Sequence, residues 1–251
     1  MMIPVHIQQS ISIFVIRIKT KKMKKIVVLS GAGISAESGI KTFRDAGGLW
    51  EEHNIDDVAT PDGFRRNPTL VLDFYNQRRK QLVNCQPNFA HISLANLETK
   101  FDVQIITQNV DNLHERAGSS NILHLHGELM KVRSTGAGSE VFDIDPNDLE
   151  IHLNDNCPKG FQLRPHIVWF GEEVPTIEQA QEIVKQADIL IIIGTSLQVY
   201  PAAGLVNYAK PNIPIYLIDP QKISNAPENI TIIQKGASEG MKILEEILLT
   251  Q

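Results

Sequence analysis

The stretch 31–44, GAGISAESGIKTFR, restricts this chain more than any other. It follows a short apolar run, IVVLS at 26–30, that reads as a buried parallel strand. Small residues directly after such a strand let the backbone turn sharply and approach a ligand closely. Successive backbone N–H groups and the positive end of a following helix would then cradle a pyrophosphate without a basic side chain. Gly-rich turns also follow strands in α/β proteins that bind nothing there, so the rest of the chain has to decide.

Further apolar runs at 103–107, 122–125, 167–170, 189–193, 215–218 and 230–233 read as strands. Helical patterns stand at 69–83, with Leu70, Phe74 and Leu82 facing inward, and at 88–100, 177–187, 201–210 and 238–249. Strands alternating with helices imply an α/β fold, a doubly wound and mostly parallel sheet covered on both faces. Polar, turn-rich segments at about 45–100 and 127–165 interrupt the alternation and are expected to build a smaller module. Ligands of such sheets bind at the carboxyl ends of the strands. Polar residues recur there, at 108–111, His126, Gly171 and Glu172, 194–196 and Asp219.

The working domain is expected over 23–251. Residues 1–22 carry an apolar run broken by Arg17 and Lys19, too short to span a membrane and without a cleavage site. They read as an upstream extension or a mis-assigned start, with a capping strand or targeting segment as the alternative. A net charge of -5 leaves no basic footprint for nucleic acid. The two cysteines, Cys85 and Cys157, are far apart and point to a reducing cytoplasm. A cytoplasmic monomer acting on small molecules or proteins, away from membranes, is the expectation.

The glycine spacing excludes one common function. A hydride-transfer fingerprint needs G-x-G-x-x-G and a second strand ending in an acidic residue about 20 residues on. This chain has Gly31, Gly33 and Gly39, and its next strand starts only at Val103. No Gly-Lys-Ser/Thr is present either, which argues against a P-loop hydrolase.

GAGISAESGIKTFR, TQNVDNLHERAG, HLHGEL, RPHIVWFGE and GTSLQVYPAA, in this order, resemble the sirtuins, the NAD-dependent protein-lysine deacylases. The resemblance runs from Lys24 to the C-terminus and implies a Rossmann-like large domain with a small module, NAD as a cosubstrate, and acylated-lysine proteins or peptides as partners. In that family the acyl oxygen attacks the nicotinamide ribose, nicotinamide leaves, and a histidine then acts as general base on a ribose hydroxyl. His126 is the matching residue, and a side chain with an unperturbed pKa of about 6.5 suits the task. His124 precedes it on the same strand face but does not match, and His91 is expected to pack within its helix.

Asn109 and Asp111 resemble the pair that orients the ribose and the nicotinamide amide, and they are assigned with His126 to catalysis. Either could instead cap the helix that follows. The resemblance implies NAD contacts from Gly31, Ala32, Gly33, Ser35, Glu37, Thr42, Phe43, Arg44, Trp50, Gln108, Asn109, Val110, Asp111, Gly194, Thr195, Ser196, Asp219 and Ala237. The loop 45–50 reads as a lid. At 219 the family often has Asn, and the Asp here leaves a hydroxyl acceptor. A peptide is expected beside Val168, Phe170, Gly171 and Glu172, added to a strand edge.

Tyr75 and Arg78 lie three apart on one helix face. A surface helix with a snorkelling Arg is the plain reading. The pair resembles the Tyr-x-x-Arg of sirtuins that remove succinyl and malonyl groups, in which the guanidinium meets the distal carboxylate. The family's paired zinc cysteines are missing: only Cys157 follows the HG motif, so no zinc is expected, and His152, Cys157 and His166 are irregularly spaced for a metal. Protein ADP-ribosyl transfer and a silent NAD or ADP-ribose sensor remain alternative readings.

Overall fold

The computed structural model describes residues 23–42, 54–221 and 230–250. In chain order these form β1 (Lys25–Ser30), a 3₁₀ segment (Ala32–Ser38), α1 (Ile55–Val58), α2 (Pro61–Arg66), α3 (Pro68–Asn84), α4 (Phe89–Leu97), β2 (Asp102–Thr107) and α5 (Leu113–Arg116). There follow β3 (Ile122–His124), β4 (Gly127–Ser134), β5 (Val141–Asp143), β6 (Leu163–Ile167), α6 (Ile177–Val184), β7 (Ile189–Ile193), a second 3₁₀ segment (Ala202–Tyr208), β8 (Ile215–Ile218), β9 (Ile230–Ile233) and α7 (Ala237–Leu249).

The main sheet has six parallel strands in the order β3-β2-β1-β7-β8-β9. The chain winds outward one way from β1 and the other way from β7. Their shared carboxyl end is therefore the switch point of a Rossmann-like fold, where a crevice opens. Alternation along β1 explains why its interior, Ile26 to Leu29, is apolar at every position. Ile26 and Val28 pack with Leu94 of α4 and Leu244 of α7, whereas Val27 and Leu29 pack with Val184 of α6 and Leu205. Both faces are buried, so no polar position falls between Ile26 and Leu29.

A separate three-stranded sheet, β5-β4-β6, is antiparallel. It rests on α3 through two apolar clusters, one holding Leu72, Val132, Ile144 and Ile151 and the other Phe74, Tyr75, Leu129, Ile167 and Trp169. Buried polar contacts reinforce this seam: Arg79 of α3 donates to the Leu129 carbonyl at 3.1 Å, and Asn76 exchanges hydrogen bonds with the Ile151 backbone at 3.1 and 3.0 Å.

Four expectations change. The run at 167–170 is not a strand of the main sheet; β6 ends at Ile167 and belongs to the antiparallel sheet. The stretch 131–165 is less irregular than its glycines and prolines suggest, because β4 and β5 pair within it. Pro165 is tolerated since β6 lies at an edge. The helix expected over 88–100 does not project with the module: α4 lies on the main sheet beside α7. Leu70 is 37% exposed, while Phe74 and Leu82 are buried as expected.

Candidate active site

The glycines of the opening turn do something other than expected. The Gly31 N–H donates to the Ile193 carbonyl at 3.0 Å and the Gly33 N–H to the Gly194 carbonyl at 2.9 Å. Those two donors are therefore committed to the protein and not to a pyrophosphate. A Cβ on Gly33 would lie 2.7 Å from the Gly194 Cα, and one on Gly31 would lie 2.7 Å from the Thr195 Cβ. Gly194 has φ +64. Small residues here serve backbone-to-backbone contact across the switch point, which draws the ends of β1 and β7 together.

Around that junction stand the residues the sequence singled out. Gln108, directly after β2, donates from its amide to the Thr195 hydroxyl at 3.1 Å. Ala32, Asn109, Val110, Asp111 and Arg78 share the lining of one cleft with Lys41. Ser196 is exposed, Thr42 and Asp219 are half-buried, and the Asp219 carboxylate accepts from the Gln221 N–H at 2.8 Å. Glu37 is turned toward α7: its carboxylate accepts from the Ser238 N–H at 3.1 Å, at the helix start where Ala237 is buried. Phe43, Arg44 and Trp50, with the lid expected over 45–50, lie outside the described residues, as do residues 1–22.

Below the cleft is a polar layer. The Ser35 hydroxyl, fully buried, donates to Asp111 at 3.0 Å and accepts from the Asn109 amide at 3.2 Å. Asp111 also accepts from the Leu113 N–H, the first of α5, at 3.1 Å while it lines the cleft. Burial raises its pKa, and the Leu113 and Ser35 bonds act the other way. His91 closes a capping box at Asn88, as expected for a packed histidine, and its burial pushes its pKa down to about 4.

Two histidines follow one another along the next segment, and their surroundings separate them. The His126 Nδ1 lies 3.1 Å from the Gln108 carbonyl. A carbonyl only accepts, so Nδ1 carries the proton and Nε2 keeps a lone pair. Burial lowers its pKa, so the ring is neutral near pH 7. His124 lies 2.9 Å from the Asn109 carbonyl and 2.8 Å from the Glu115 carboxylate, which calls for a proton on each nitrogen. Burial alone would lower its pKa, but Glu115 turns the net shift upward. Of the two, His126 has the geometry of a base.

The helix face at Tyr75 is not a surface. Tyr75 is 2% exposed and its phenolic oxygen accepts from the Trp169 indole at 3.0 Å. The Arg78 guanidinium lies 5.6 Å from the Phe74 ring centroid and 5.9 Å from that of Tyr75. The segment expected to take a peptide is partly committed too. The Val168 N–H donates to the His126 carbonyl and the Phe170 N–H to the Ala59 carbonyl, at 2.9 and 3.0 Å. Phe170 and Gly171 are exposed. Glu172 is held by Arg164 at 2.8 Å and Arg133 at 3.0 Å, so its carboxylate ties together the small module.

The sequence carries no mark of Ser35 as a bridge, nor of the partners of Trp169 and the buried Arg79 and Arg164, although Trp169 and Arg164 lie within RPHIVWFGE. Cys157 is buried, 3.3 Å from the Ser134 hydroxyl. Among the described residues no group of three His, Cys, Asp or Glu side chains is placed to hold a metal. None of the described helices is long and apolar enough to cross a membrane.

The Sir2 family model matches residues 31–201. The chain belongs to the Sir2 family. This sirtuin is 54% identical over 231 residues to an NAD-dependent protein deacylase of Bacteroides thetaiotaomicron, covering 90% of this chain and 99% of that one. It is 57% identical over 228 residues to another from Helicobacter pylori J99, covering 88% and 94%. Among solved structures, a Sir2 homologue mutant in complex with ADP-ribose superposes with a TM-score of 0.83 at 39% identity, over 91% of this chain and 93% of that one. A Sir2 homologue in complex with NAD gives 0.79, also at 39% identity, over 91% and 90%.

Proposed function

We propose that this sirtuin, an NAD-dependent protein deacylase like its relatives, removes succinyl and malonyl groups from lysine side chains as well as acetyl. The products are nicotinamide, O-acyl-ADP-ribose and the free lysine. The observation that carries the acidic acyl specificity is the position of Arg78. It stands in the cleft with Asn109 and Asp111, beside a phenol that is not at the surface. A guanidinium lining a cleft can match a distal carboxylate bidentately, which a short neutral acyl group does not require.

In this reading Asn109 and Asp111, fixed from below by Ser35, orient the ribose and the nicotinamide amide of NAD. His126, neutral and presenting Nε2, takes the proton from a ribose hydroxyl once nicotinamide has left. Gln108, Thr195 and Ser196 line the route of the ribose and phosphates, and Asp219 stands at the adenosine end. Phe170 and Gly171 meet the peptide flanking the modified lysine.

The test is to incubate the protein with NAD and a succinyl-lysine peptide and to follow the masses. Free lysine peptide together with O-succinyl-ADP-ribose is the expected outcome. ADP-ribose attached to the peptide would indicate ADP-ribosyl transfer instead, and no turnover with any acyl group would indicate a binding protein.

A further inference from the structure

We propose that Trp169 is a positioning residue for acyl specificity: its indole N–H holds the Tyr75 phenol as a hydrogen-bond donor toward the distal carboxylate of an acidic acyl group. The inference rests on the acyl reading above and adds to it the group that sets the polarity of the phenol.

An indole N–H only donates, whereas a phenol both donates and accepts. At 3.0 Å, the bond between them has one possible direction, from Trp169 to Tyr75. It occupies an acceptor position of the phenol and leaves its own proton to be given away. Among the described residues that proton has no acceptor. A carboxylate accepts and never donates, so a phenol fixed in this sense suits it, whereas an acetyl methyl group makes no use of it.

The indole is packed on both sides. The Arg164 guanidinium lies over its face, 3.7 Å from the ring centroid, and Phe64 packs at 5.4 Å. The Trp169 backbone N–H donates to Glu172 at 2.8 Å, and the same carboxylate holds Arg164 and Arg133. A cation on the ring face also draws electron density from the indole, which strengthens its N–H as a donor. The phenol is confined in turn, its ring meeting Phe74 edge-on at 5.0 Å. Glu172, Arg164, Trp169 and Tyr75 thus form one chain of contacts from the antiparallel sheet into α3.

The experiment measures kcat and KM for succinyl-lysine and acetyl-lysine peptides with the wild type, Trp169→Phe, Tyr75→Phe and the double variant. Trp169→Phe is expected to lower kcat/KM for the succinyl peptide about fivefold to tenfold, chiefly through KM. Its effect on the acetyl peptide stays within about twofold, and in the Tyr75→Phe background the substitution has no further effect. Equal losses on both peptides, or an undiminished effect when Tyr75 is already Phe, overturn the proposal. If Trp169→Phe fails to fold, benzothienylalanine placed at 169 keeps the ring shape and removes only the N–H. It is expected to give the same selective loss, and unchanged selectivity would reject the proposal. A wild type that leaves the succinyl peptide intact overturns the acyl reading itself, whereas succinyl turnover untouched by the change at 169 overturns only this inference.

Discussion

Ser35 donates its hydroxyl proton to Asp111 at 3.0 Å from a position with no solvent access. The same oxygen receives the Asn109 amide, so one hydroxyl sets the spacing of two side chains that face the cleft. Removing it leaves a buried carboxylate oxygen and a buried amide without their partner, an expense of about 1–3 kcal/mol. Ser35→Ala is expected to lower stability to urea by that amount and to reduce kcat/KM for NAD at least tenfold, as Asn109 and Asp111 lose their fixed rotamers. Equilibrium unfolding and nicotinamide-release kinetics check both.

His126 is neutral near pH 7 because burial lowers its pKa, and protonation would remove the lone pair on Nε2. As pH falls through this lowered value, the rate of deacylation should fall with it. The acid limb of the kcat/KM profile therefore lies below the ordinary histidine value of about 6.5. His126→Ala should remove that limb and reduce deacylation by a factor of about 100 to 10,000. An acid limb above the ordinary value would assign the titration to another group.

His124 should behave oppositely in stability. Its folded pKa is raised by Glu115, so the contribution of the pair is fully present below the unfolded histidine pKa and is lost as pH rises through the raised value. Glu115 itself is lowered, burial acting against the His124 bond that prevails, so its share persists until pH drops through that lowered value. His124→Gln is expected to lower Tm by more at pH 6 than at pH 9. Melting curves of both proteins at the two pH values decide it.

The main sheet was legible because both its faces are buried: β7 reads ILIII and β8 reads IYLI, and no polar position breaks them. The antiparallel sheet was hidden for the converse reason. β4, GELMKVRS, is buried only at Gly127, Leu129, Val132 and Ser134, and its polar side reads like loop. The placement of candidate residues was legible where a motif tied them to the segment after a strand, as with Asn109 after β2 and His126 after β3. It was not legible where the role depends on a partner far along the chain. Glu172 carries no mark in the sequence of its pairing with Arg133, and Tyr75 none of its bond to Trp169, 94 residues away.

Gly194 offers a test of the junction between β1 and β7. Its φ of +64 disfavours any side chain, and a Cβ there would strike the Ile34 backbone nitrogen and come within 2.6 Å of the Gly33 carbonyl carbon. Gly194→Ala has no flexible neighbour to displace, because both obstacles are backbone. A loss of more than about 2 kcal/mol is expected, read by urea unfolding, together with weakened NAD binding.

Arg78 carries the claim that distinguishes this sirtuin's substrates. It lines the cleft three residues on from Tyr75, and burial lowers its pKa while Tyr75 and Asp111 act the other way. Arg78→Met keeps the length and removes the charge, so a carboxylate entering the cleft would lose its partner and be left desolvated. The loss of one charged hydrogen-bonded pair is worth about 2–5 kcal/mol, or roughly thirtyfold to several thousandfold in kcat/KM for succinyl-lysine. Deacetylation should fall far less, because the acetyl methyl group makes no demand on the guanidinium. Arg78→Lys should recover only part of the succinyl rate, since an ammonium cannot engage both carboxylate oxygens in the same plane. Steady-state rates on paired succinyl and acetyl peptides measure all of this, and equal losses on both would exclude Arg78 as the carboxylate partner.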